Sequence, residues 1–473
     1  MSTVKLAPRF SCEEAENIVN SLYGIEAQSK PLPSERDQNF LIETDGHPAY
    51  VLKIANRTEN EEILDFENRA LVHVSRADEP ARCPALVLSK ADKEIEVTSG
   101  PDGSEHFIRM VTFLPGVPLG NVKYHSPELL ESIGRVLGGL TRALEGFSHP
   151  AMHREVIWDL KHAESVIDDY KIHIDEADCH LLINHYLIYF KAQVVPKLKN
   201  LRMSVVHNDA NDYNLLVKTL PSMEKEISGI VDFGDMVYAY TIGELAVASA
   251  YAMMNKDNPL AAALAVVRGF HRVFPLSEKE LSVLFPLICI RLCLSVSISA
   301  CQKKLNPDNP YLTISEKPAW DLLKKLSEVH PGFACYIFRK ACGLEPCPQT
   351  LPVVGWLKKH RKTFAPVVDA DLKNEKVTFF DLSPGSLDFD RPPDAMDLEQ
   401  MTELLTGLMK KDGSRVGIGR YNESRLVYTS EHFTLDGEAR TVHLGIDIFM
   451  DAGSPVYVPL DGKVHSFQKN TNP

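Results

Sequence analysis

The chain carries SVVHNDANDYNLLV at residues 204–217, followed closely by GIVDFGD at residues 229–235. Apolar residues flank a polar loop that holds Asp209 and Asn214, and Asp232 ends a short apolar strand. Phosphoryl transfer from a nucleotide needs a carboxylate that accepts the proton of the attacking hydroxyl and oxygen ligands that hold Mg²⁺ against the phosphates. A lone aspartate in such a loop is usually a turn residue or a cap. The ordered set is more specific, and it predicts Asp209 as catalytic base with Asn214 and Asp232 as Mg²⁺ ligands.

The segments HNDANDYNLL and IVDFGD resemble the catalytic and metal-binding segments of the aminoglycoside phosphotransferase and choline kinase superfamily. That superfamily usually has glycine where Asn208 stands, a position that shapes the backbone. The resemblance implies an α+β, bilobal, protein-kinase-like fold, with a β-rich N-lobe over residues 1–114 and a helical C-lobe over 115–360. A non-catalytic nucleotide- or metabolite-binding module that regulates a fused partner is the alternative.

Strand and helix patterns upstream of the loop are typical of a kinase N-lobe. Two alternating segments meet at Asp45-Gly46, a hairpin dipeptide, and a helical pattern covers residues 59–75. The resemblance implies that Lys53, in the second strand, contacts the nucleotide phosphates. Its expected ion-pair partner is Glu67, with Glu62 as the alternative. Taken alone, Lys53 fits a solvated strand position better, and its place before a helix and far upstream of the loop favours the phosphate contact.

Two further segments are expected to bind the nucleotide. LPSERDQNF at residues 32–40 takes the place of a glycine-rich phosphate loop, and Ser34 is its candidate phosphate contact. RMVTFLPG at residues 109–116 resembles the hinge strand between the lobes, where backbone groups near Thr112 and Phe113 would pair with the base. These side chains do not distinguish ATP from GTP.

Within the superfamily, several segments resemble hydroxylysine kinases, among them YVLKIAN, HREVIWDLK at residues 153–161 and SGIVDFGDM at residues 228–236. The resemblance implies a free amino acid or amino alcohol that is phosphorylated on a hydroxyl. An ammonium-bearing substrate requires carboxylates and aromatic faces near the loop. The candidates are Trp158, Asp235, Tyr238, Tyr240 and Glu244. The aromatic residues and Glu244 could equally have a structural role, because a helix also needs packing side chains and a carboxylate near its first turn.

Arg291 is isolated in the apolar segment 281–300. A buried guanidinium needs an anion, which would be a substrate α-carboxylate or a structural Asp or Glu. Because Pro286 and Arg291 interrupt the segment, we expect a core helix and not a membrane span.

The remaining residues are expected to form a linker over 361–424 and a truncated all-β domain over 425–473. HLGIDIFMDAGSPVYVPLDGKV at residues 443–464 resembles the start of a lysostaphin-type zinc metallopeptidase domain, which implies His443 and Asp447 as Zn²⁺ ligands. A catalytic zinc site takes three protein ligands, and only two are visible here. We therefore expect zinc-dependent peptidase activity only in a longer polypeptide with fused C-terminal modules.

Composition limits the partners. The formal charge of -13 disfavours nucleic acid or an anionic membrane as the main partner. The nine cysteines show no CxxC spacing, which is typical of reduced thiols. The first residues show no apolar stretch of signal-peptide length. These features predict a cytoplasmic protein with small-molecule ligands.

Overall fold

The computed structural model describes residues 8–34, 36–77, 82–305, 315–383, 386, 389, 396–421, 423–425, 434–435, 438–439, 442–464 and 466. The chain divides into two compact units, Met1–Pro348 and Gln349–Pro473.

The first unit begins with a helix and a six-stranded sheet. Helix α1 (Cys12–Ile18) starts at a capping box formed by Ser11 and Glu14 and continues as a π-helix to Tyr23. The strands are β1 (Gln28–Leu32), β2 (Gln38–Thr44), β3 (His47–Ile54), β4 (Leu86–Val87), β5 (Glu96–Ser99) and β6 (Glu105–Thr112). Their order is β1-β2-β3-β6-β4, with β5 also paired to β6, and every pair is antiparallel.

The β2–β3 hairpin turns at Asp45 and Gly46, as the sequence predicts. Both residues have positive φ, 53° and 77°, which is the backbone that a two-residue hairpin loop of this kind requires. In the register of β3 and β6, Lys53 lies opposite Arg109. One sheet face packs its buried side chains, such as Phe40 and Leu52, against α1. Helix α2 (Glu61–Ser75) follows β3 and is capped by Asn60.

The rest of the first unit is mainly helical. Its helices are α3 (Pro127–Ala143), α4 (Ala163–Tyr170), α5 (Ala177–Tyr189), α6 (Val195–Leu198), α7 (Ile242–Met253), α8 (Pro259–Val273), α9 (Glu278–Leu305), α10 (Glu316–Ser327) and α11 (Pro331–Ala341). Its strands are β7 (Val117–Pro118), β8 (Met203–Val206), β9 (Leu215–Thr219), β10 (Lys225–Ile230) and β11 (Val237–Tyr240). Two small sheets, β10-β9-β7 and β11-β8, hold both polar segments of the opening motif. The first unit is thus a kinase-like bilobal fold, with a strand-rich N-terminal region and a helical part.

Helix α9 is the long apolar helix of this lobe. Its most apolar window has a mean hydropathy of 2.2 and is 94% buried by the surrounding protein. Its length and composition would also suit a membrane span, but a buried core helix of a globular lobe has the same properties. The packing agrees with the core helix expected from the interrupted apolar run.

The second unit contains helices as well as strands. They are α12 (Thr350–His360), β12 (Val377–Phe380), α13 (Leu398–Asp412), β13 (Val416–Gly419), β14 (Glu423–Ser424), β15 (Thr434–Leu435), β16 (Glu438–Ala439), β17 (Val442–His443) and β18 (Asp447–Phe449). Strands β12 and β13 are parallel, and β18 pairs with β13 antiparallel. Phe380, Leu405 and Met409 share a small core. The segment expected as a linker, 361–424, therefore contains packed secondary structure. The all-β organisation expected beyond residue 425 stays a prediction.

Candidate active site

The loop between β8 and β9 carries Asp209 and is held from beneath by a buried carboxylate. Glu244, which is 1% exposed, accepts hydrogen bonds at Oε2 from the backbone N–H groups of His207 and Asn208, at 2.7 and 3.3 Å. Asn208 has a φ of 68°. Asparagine tolerates this left-handed backbone better than most residues, which explains how it replaces the glycine of the superfamily pattern. Glu244, expected as a substrate contact, instead supports the loop.

Asp209 lies at the centre of a hydrogen-bond network. Its Oδ2 accepts from the side-chain amides of Asn211 and Asn214, each at 2.9 Å. Its Oδ1 accepts from Nη2 of Arg291 at 3.1 Å. Burial raises the pKa of Asp209 to about 7, because desolvation and the nearby Asp235 and Asp232 outweigh the opposing effect of Arg291. A carboxylate with a pKa near neutrality suits a general base.

Asn214 and Asp232 face the same cavity as Asp209. The backbone N–H of Val231 donates to the carbonyl of Asn214 at 3.0 Å, which joins the two segments of the motif. The Asn214 amide nitrogen donates to Asp209, so its oxygen is the atom left for a cation. Lys53 lowers the pKa of Asp232 to about 2, so this carboxylate is ionised at neutral pH. An ionised carboxylate beside an amide oxygen is a donor set that fits Mg²⁺.

Lys53 contacts Asp232 and not Glu67. Its Nζ lies 3.3 Å from Oδ1 of Asp232. Glu67 forms a buried ion pair with Arg109, the residue opposite Lys53 across β3 and β6. Glu62, the alternative partner, lies exposed in the first turn of α2. The expected Lys53–Glu67 pair is thus not formed, because Arg109 reaches Glu67 from the neighbouring strand.

Arg36 occupies the loop expected to approach the phosphates and binds Asp235. The distance from Nη2 to Oδ1 is 2.9 Å, and the interaction spans 199 residues of sequence. Arg154 donates to the carbonyl of Gly234 in the same segment. Asp235, a candidate substrate contact, is therefore engaged by arginine, while Ser34 lines the cavity beside it.

Two backbone N–H groups of the expected hinge, residues 109–116, are already hydrogen-bonded within the protein. The backbone N–H of Thr112 donates to the carbonyl of Ala85, and that of Phe113 donates to the carbonyl of Ala49, each at 2.8 Å. These two donors are thus used within the sheet, so a base would need other backbone groups of residues 109–116. Both residues still line a cavity of about 420 Å³ whose apolar walls include Val51.

A second, polar cavity of about 220 Å³ adjoins the first and shares Lys53, Asn214 and Asp232 with it. Of the predicted substrate residues, Trp158, Asp235 and Arg291 line this cavity. The Arg291 guanidinium lies 4.6 Å from the centre of the Trp158 ring. Tyr238 and Tyr240 lie on β11, where Tyr238 packs edge-on against His153 at 5.0 Å.

Sequence reasoning missed several cavity residues. They are Arg36, Arg109, Tyr251, Ser295 and Ser299. For the serines, a signal was present in the sequence, since they follow Arg291 at intervals of four in an apolar segment and so share its helix face.

The possible zinc ligands of the second unit lie together but do not face a metal site. Nε2 of His443 lies 3.3 Å from Oδ1 of Asp447. The other oxygen of Asp447 is 2.6 Å from the guanidinium of Arg425, which also binds Glu423. A guanidinium therefore already neutralises the carboxylate that Zn²⁺ would need. Throughout the described residues, no group of three or more His, Cys, Asp or Glu side chains is placed to hold a metal.

The fold and the cleft define a class, the small-molecule kinases. Residues 29–275 match the model of the phosphotransferase enzyme family, and the chain belongs to this family.

More particularly, the chain is similar to hydroxylysine kinases. It is 33% identical over 350 residues to hydroxylysine kinase of Mus musculus, across 69% of this chain and 92% of that protein. It is 31% identical over 344 residues to hydroxylysine kinase of Bos taurus, across 68% and 90% of the two chains.

Solved structures show the same fold. A microcompartment-associated aminopropanol kinase superposes with a TM-score of 0.51 at 16% identity, across 71% of this chain and 100% of that one. An amicoumacin kinase in complex with AMP-PNP, Ca²⁺ and Ami superposes with a TM-score of 0.51 at 14% identity, across 67% and 94%.

Proposed function

We propose that this kinase transfers the γ-phosphate of ATP or GTP to the hydroxyl of a small amino-containing metabolite, either hydroxylysine or a related amino alcohol. The observation that carries the proposal is the convergence of Asp209, Asn214, Asp232 and Lys53 on one cleft. The similarity to hydroxylysine kinases supports the substrate class. All nine cysteines lie within the described residues and none forms a disulfide, which supports a reducing compartment such as the cytoplasm.

The acceptor side of the reaction depends on Asp209. The acceptor hydroxyl lies against this carboxylate, which takes its proton as the oxygen attacks the γ-phosphorus. The bond from this phosphorus to the oxygen of the β-phosphate breaks, and the nucleoside diphosphate leaves. Asn211 and Asn214 fix the carboxylate through their amide groups, so it meets the hydroxyl in one orientation. Glu244 and the left-handed backbone at Asn208 fix the loop itself. This arrangement accomplishes the positioning on which phosphoryl transfer mainly depends.

The donor side depends on charged groups that face the phosphates. Asn214 and Asp232 would hold Mg²⁺, which when bound neutralises charge on the phosphate oxygens. Lys53 supplies a cation beside Asp232 and is placed to contact a phosphate. Arg36 lines the same cavity and adds a further positive charge. The apolar cavity bounded by Val51 and Leu216 has the lining expected for a purine base.

The proposal is tested by replacing the base. The panel of acceptors is hydroxylysine, ethanolamine, choline, homoserine and an aminoglycoside, each offered with ATP and with GTP. We expect the parent to phosphorylate hydroxylysine, and Asp209→Asn to lower kcat about 10²- to 10⁴-fold. Asp178→Asn, in the first turn of α5, is the matched control and should retain the parent rate. Turnover of Asp209→Asn at the parent rate would remove Asp209 as the base, and absence of turnover across the panel would remove the substrate class.

A further inference from the structure

Helix α9 carries a line of polar side chains into the cavity beside Asp209. Arg291, Ser295, Ser299 and Gln302 recur at intervals of three or four residues, so they lie on one face of the helix. All four line the polar cavity, while almost every neighbour between residues 281 and 301 is buried and most of these neighbours are apolar. An otherwise apolar core helix has therefore placed its polar face where the acceptor binds.

The Arg291 side chain is buried in this face and is oriented by two aromatic rings. Its side chain is only 1% exposed. The ring of Trp158 lies beneath the guanidinium at 4.6 Å, and the ring of Tyr251 lies at 5.7 Å. Two flanking aromatic rings restrict the plane of the guanidinium, so its donors point in fixed directions.

The three hydrogen bonds that Arg291 makes among the described residues do not use its Nε donor. Nη2 donates to Asp209 at 3.1 Å and to the hydroxyl of Tyr251 at 3.4 Å, and Nη1 donates to the carbonyl of Trp158 at 3.3 Å. Nε is buried and has no hydrogen-bond partner among the described residues. Buried polar groups are nearly always satisfied, so an unpaired nitrogen on a cavity-lining guanidinium indicates a missing ligand.

A guanidinium N–H forms a strong, charge-assisted hydrogen bond to a carboxylate oxygen. We propose that Arg291 binds a carboxylate of the acceptor through its Nε–H, so that the acceptor is a hydroxylated amino acid and not an amino alcohol without an acid group. The inference rests on the proposed function, because it places the acceptor beside Asp209. Since Arg291 also contacts Asp209, the hydroxyl and the carboxylate must belong to one short molecule.

The test compares two compounds that differ only in the acid group. They are hydroxylysine and 1,5-diaminopentan-2-ol, which is the same molecule without its carboxylate. The measurement is kcat/KM for each at saturating nucleotide and Mg²⁺. We expect the parent to prefer hydroxylysine by about 100-fold or more, because a site built to pair a polar group rejects the analogue that lacks it. Equal use of the two compounds by the parent would overturn the inference without any variant.

The variant Arg291→Gln provides a second test of the same inference. We expect it to lose rate mainly with hydroxylysine, so that the preference falls to within about tenfold. An equal loss with both compounds would show that Arg291 acts only on Asp209 or on the phosphoryl group, and would contradict carboxylate binding. Arg339→Gln is the matched control, because Arg339 is also buried, at 6% exposure, but binds Glu278 and lies outside the cavity lining. It should keep the parent preference.

A binding measurement distinguishes this inference from the proposed function. Calorimetric titration of the parent with each compound, in the presence of Mg²⁺ and a non-hydrolysable nucleotide, requires no turnover. If hydroxylysine binds more tightly than the analogue in the titration but is not phosphorylated in the activity assay, the carboxylate site is supported and the proposed reaction is removed. Equal affinity for both compounds would remove the carboxylate site, whether or not they are phosphorylated.

Discussion

Nη2 of Arg291 lies 3.1 Å from Oδ1 of Asp209, although 82 residues separate them in the chain. The contact joins the middle of the core helix α9 to the loop that carries the candidate base. A buried ion pair loses hydration free energy when it forms, so its net contribution to stability is modest. The loss of one partner nevertheless leaves an unpaired buried charge. The pair therefore couples the helical core to the chemistry of the cleft.

The buried pair of Glu67 and Arg109 gives a stability prediction. Both side chains are at most 5% exposed, and Asn68 also accepts a hydrogen bond from Arg109 at 3.1 Å. We expect Arg109→Met to destabilise the first unit by about 3–5 kcal/mol, because it leaves the Glu67 carboxylate buried without a partner. The measurement is the free energy of unfolding in urea.

The control for this prediction is Lys317→Ala. Lys317 pairs with Asp321 on α10, but the side chains are 84% and 52% exposed. Exposed pairs contribute little, so the variant should unfold close to the parent. Comparable losses in the two variants would mean that burial of the Glu67–Arg109 pair does not determine its effect.

The backbone at Asn208 gives a second prediction. Its φ of 68° is left-handed, and its side-chain nitrogen is buried with no partner among the described residues. Asn208→Gly should retain the parent kcat and lie within about 1 kcal/mol of its stability, because glycine adopts this backbone without strain. Asn208→Val should lose about 1–3 kcal/mol, because a β-branched residue is strained there. Thermal unfolding and kcat check both variants, and a stable, active valine variant would contradict the assigned strain.

The sequence predicted those features that are encoded locally. Asp45-Gly46 fixes a hairpin through two adjacent φ angles, and the spacing of Asp209 and Asn214 is confined to one loop. The β-hairpin was confirmed for this reason. The roles of the site residues remain predictions, although the structure brings the expected loop and strand residues to one cleft.

Features that depend on distant contacts were not predictable in the same way. Glu67 has arginine as its partner because β6 places Arg109 opposite Lys53, and this register is a property of the sheet. Glu244 supports the loop because α7 begins directly beneath it. In the sequence, a carboxylate that accepts backbone hydrogen bonds looks the same as one that binds an ammonium group.

Metal removal gives a third prediction. Asp232 is ionised, with its pKa lowered to about 2 by Lys53, and it shares the cleft with Asn214. Asp232→Asn removes the charged ligand, so we expect the Mg²⁺ concentration for half-maximal rate to rise at least about tenfold. Chelation of Mg²⁺ should stop turnover by the parent, and its return should restore it. Asp102→Asn, in an exposed turn, should keep the parent Mg²⁺ dependence. An unchanged Mg²⁺ dependence in Asp232→Asn would remove this residue as a metal ligand.

The final prediction concerns Arg36 and Asp235, which join the loop between β1 and β2 to the segment after Asp232. The pair is 2.9 Å long, and its side chains are 47% and 13% exposed. Arg36 lines the polar cavity that we propose to hold the phosphates. We therefore expect Arg36→Gln to weaken nucleotide binding about tenfold, which is the loss of one charge-assisted hydrogen bond. Lys30→Gln is the matched control, since Lys30 pairs with Glu43 at 2.8 Å with similar exposures of 63% and 12% but stays within the sheet. Calorimetric nucleotide affinities of the two variants and of Asp235→Asn separate the possibilities. If only Arg36→Gln binds the nucleotide more weakly, the effect is assigned to a phosphate contact. If both Arg36→Gln and Asp235→Asn bind it more weakly, the effect is assigned to closure of the loop. An affinity of Arg36→Gln equal to that of the parent contradicts the prediction.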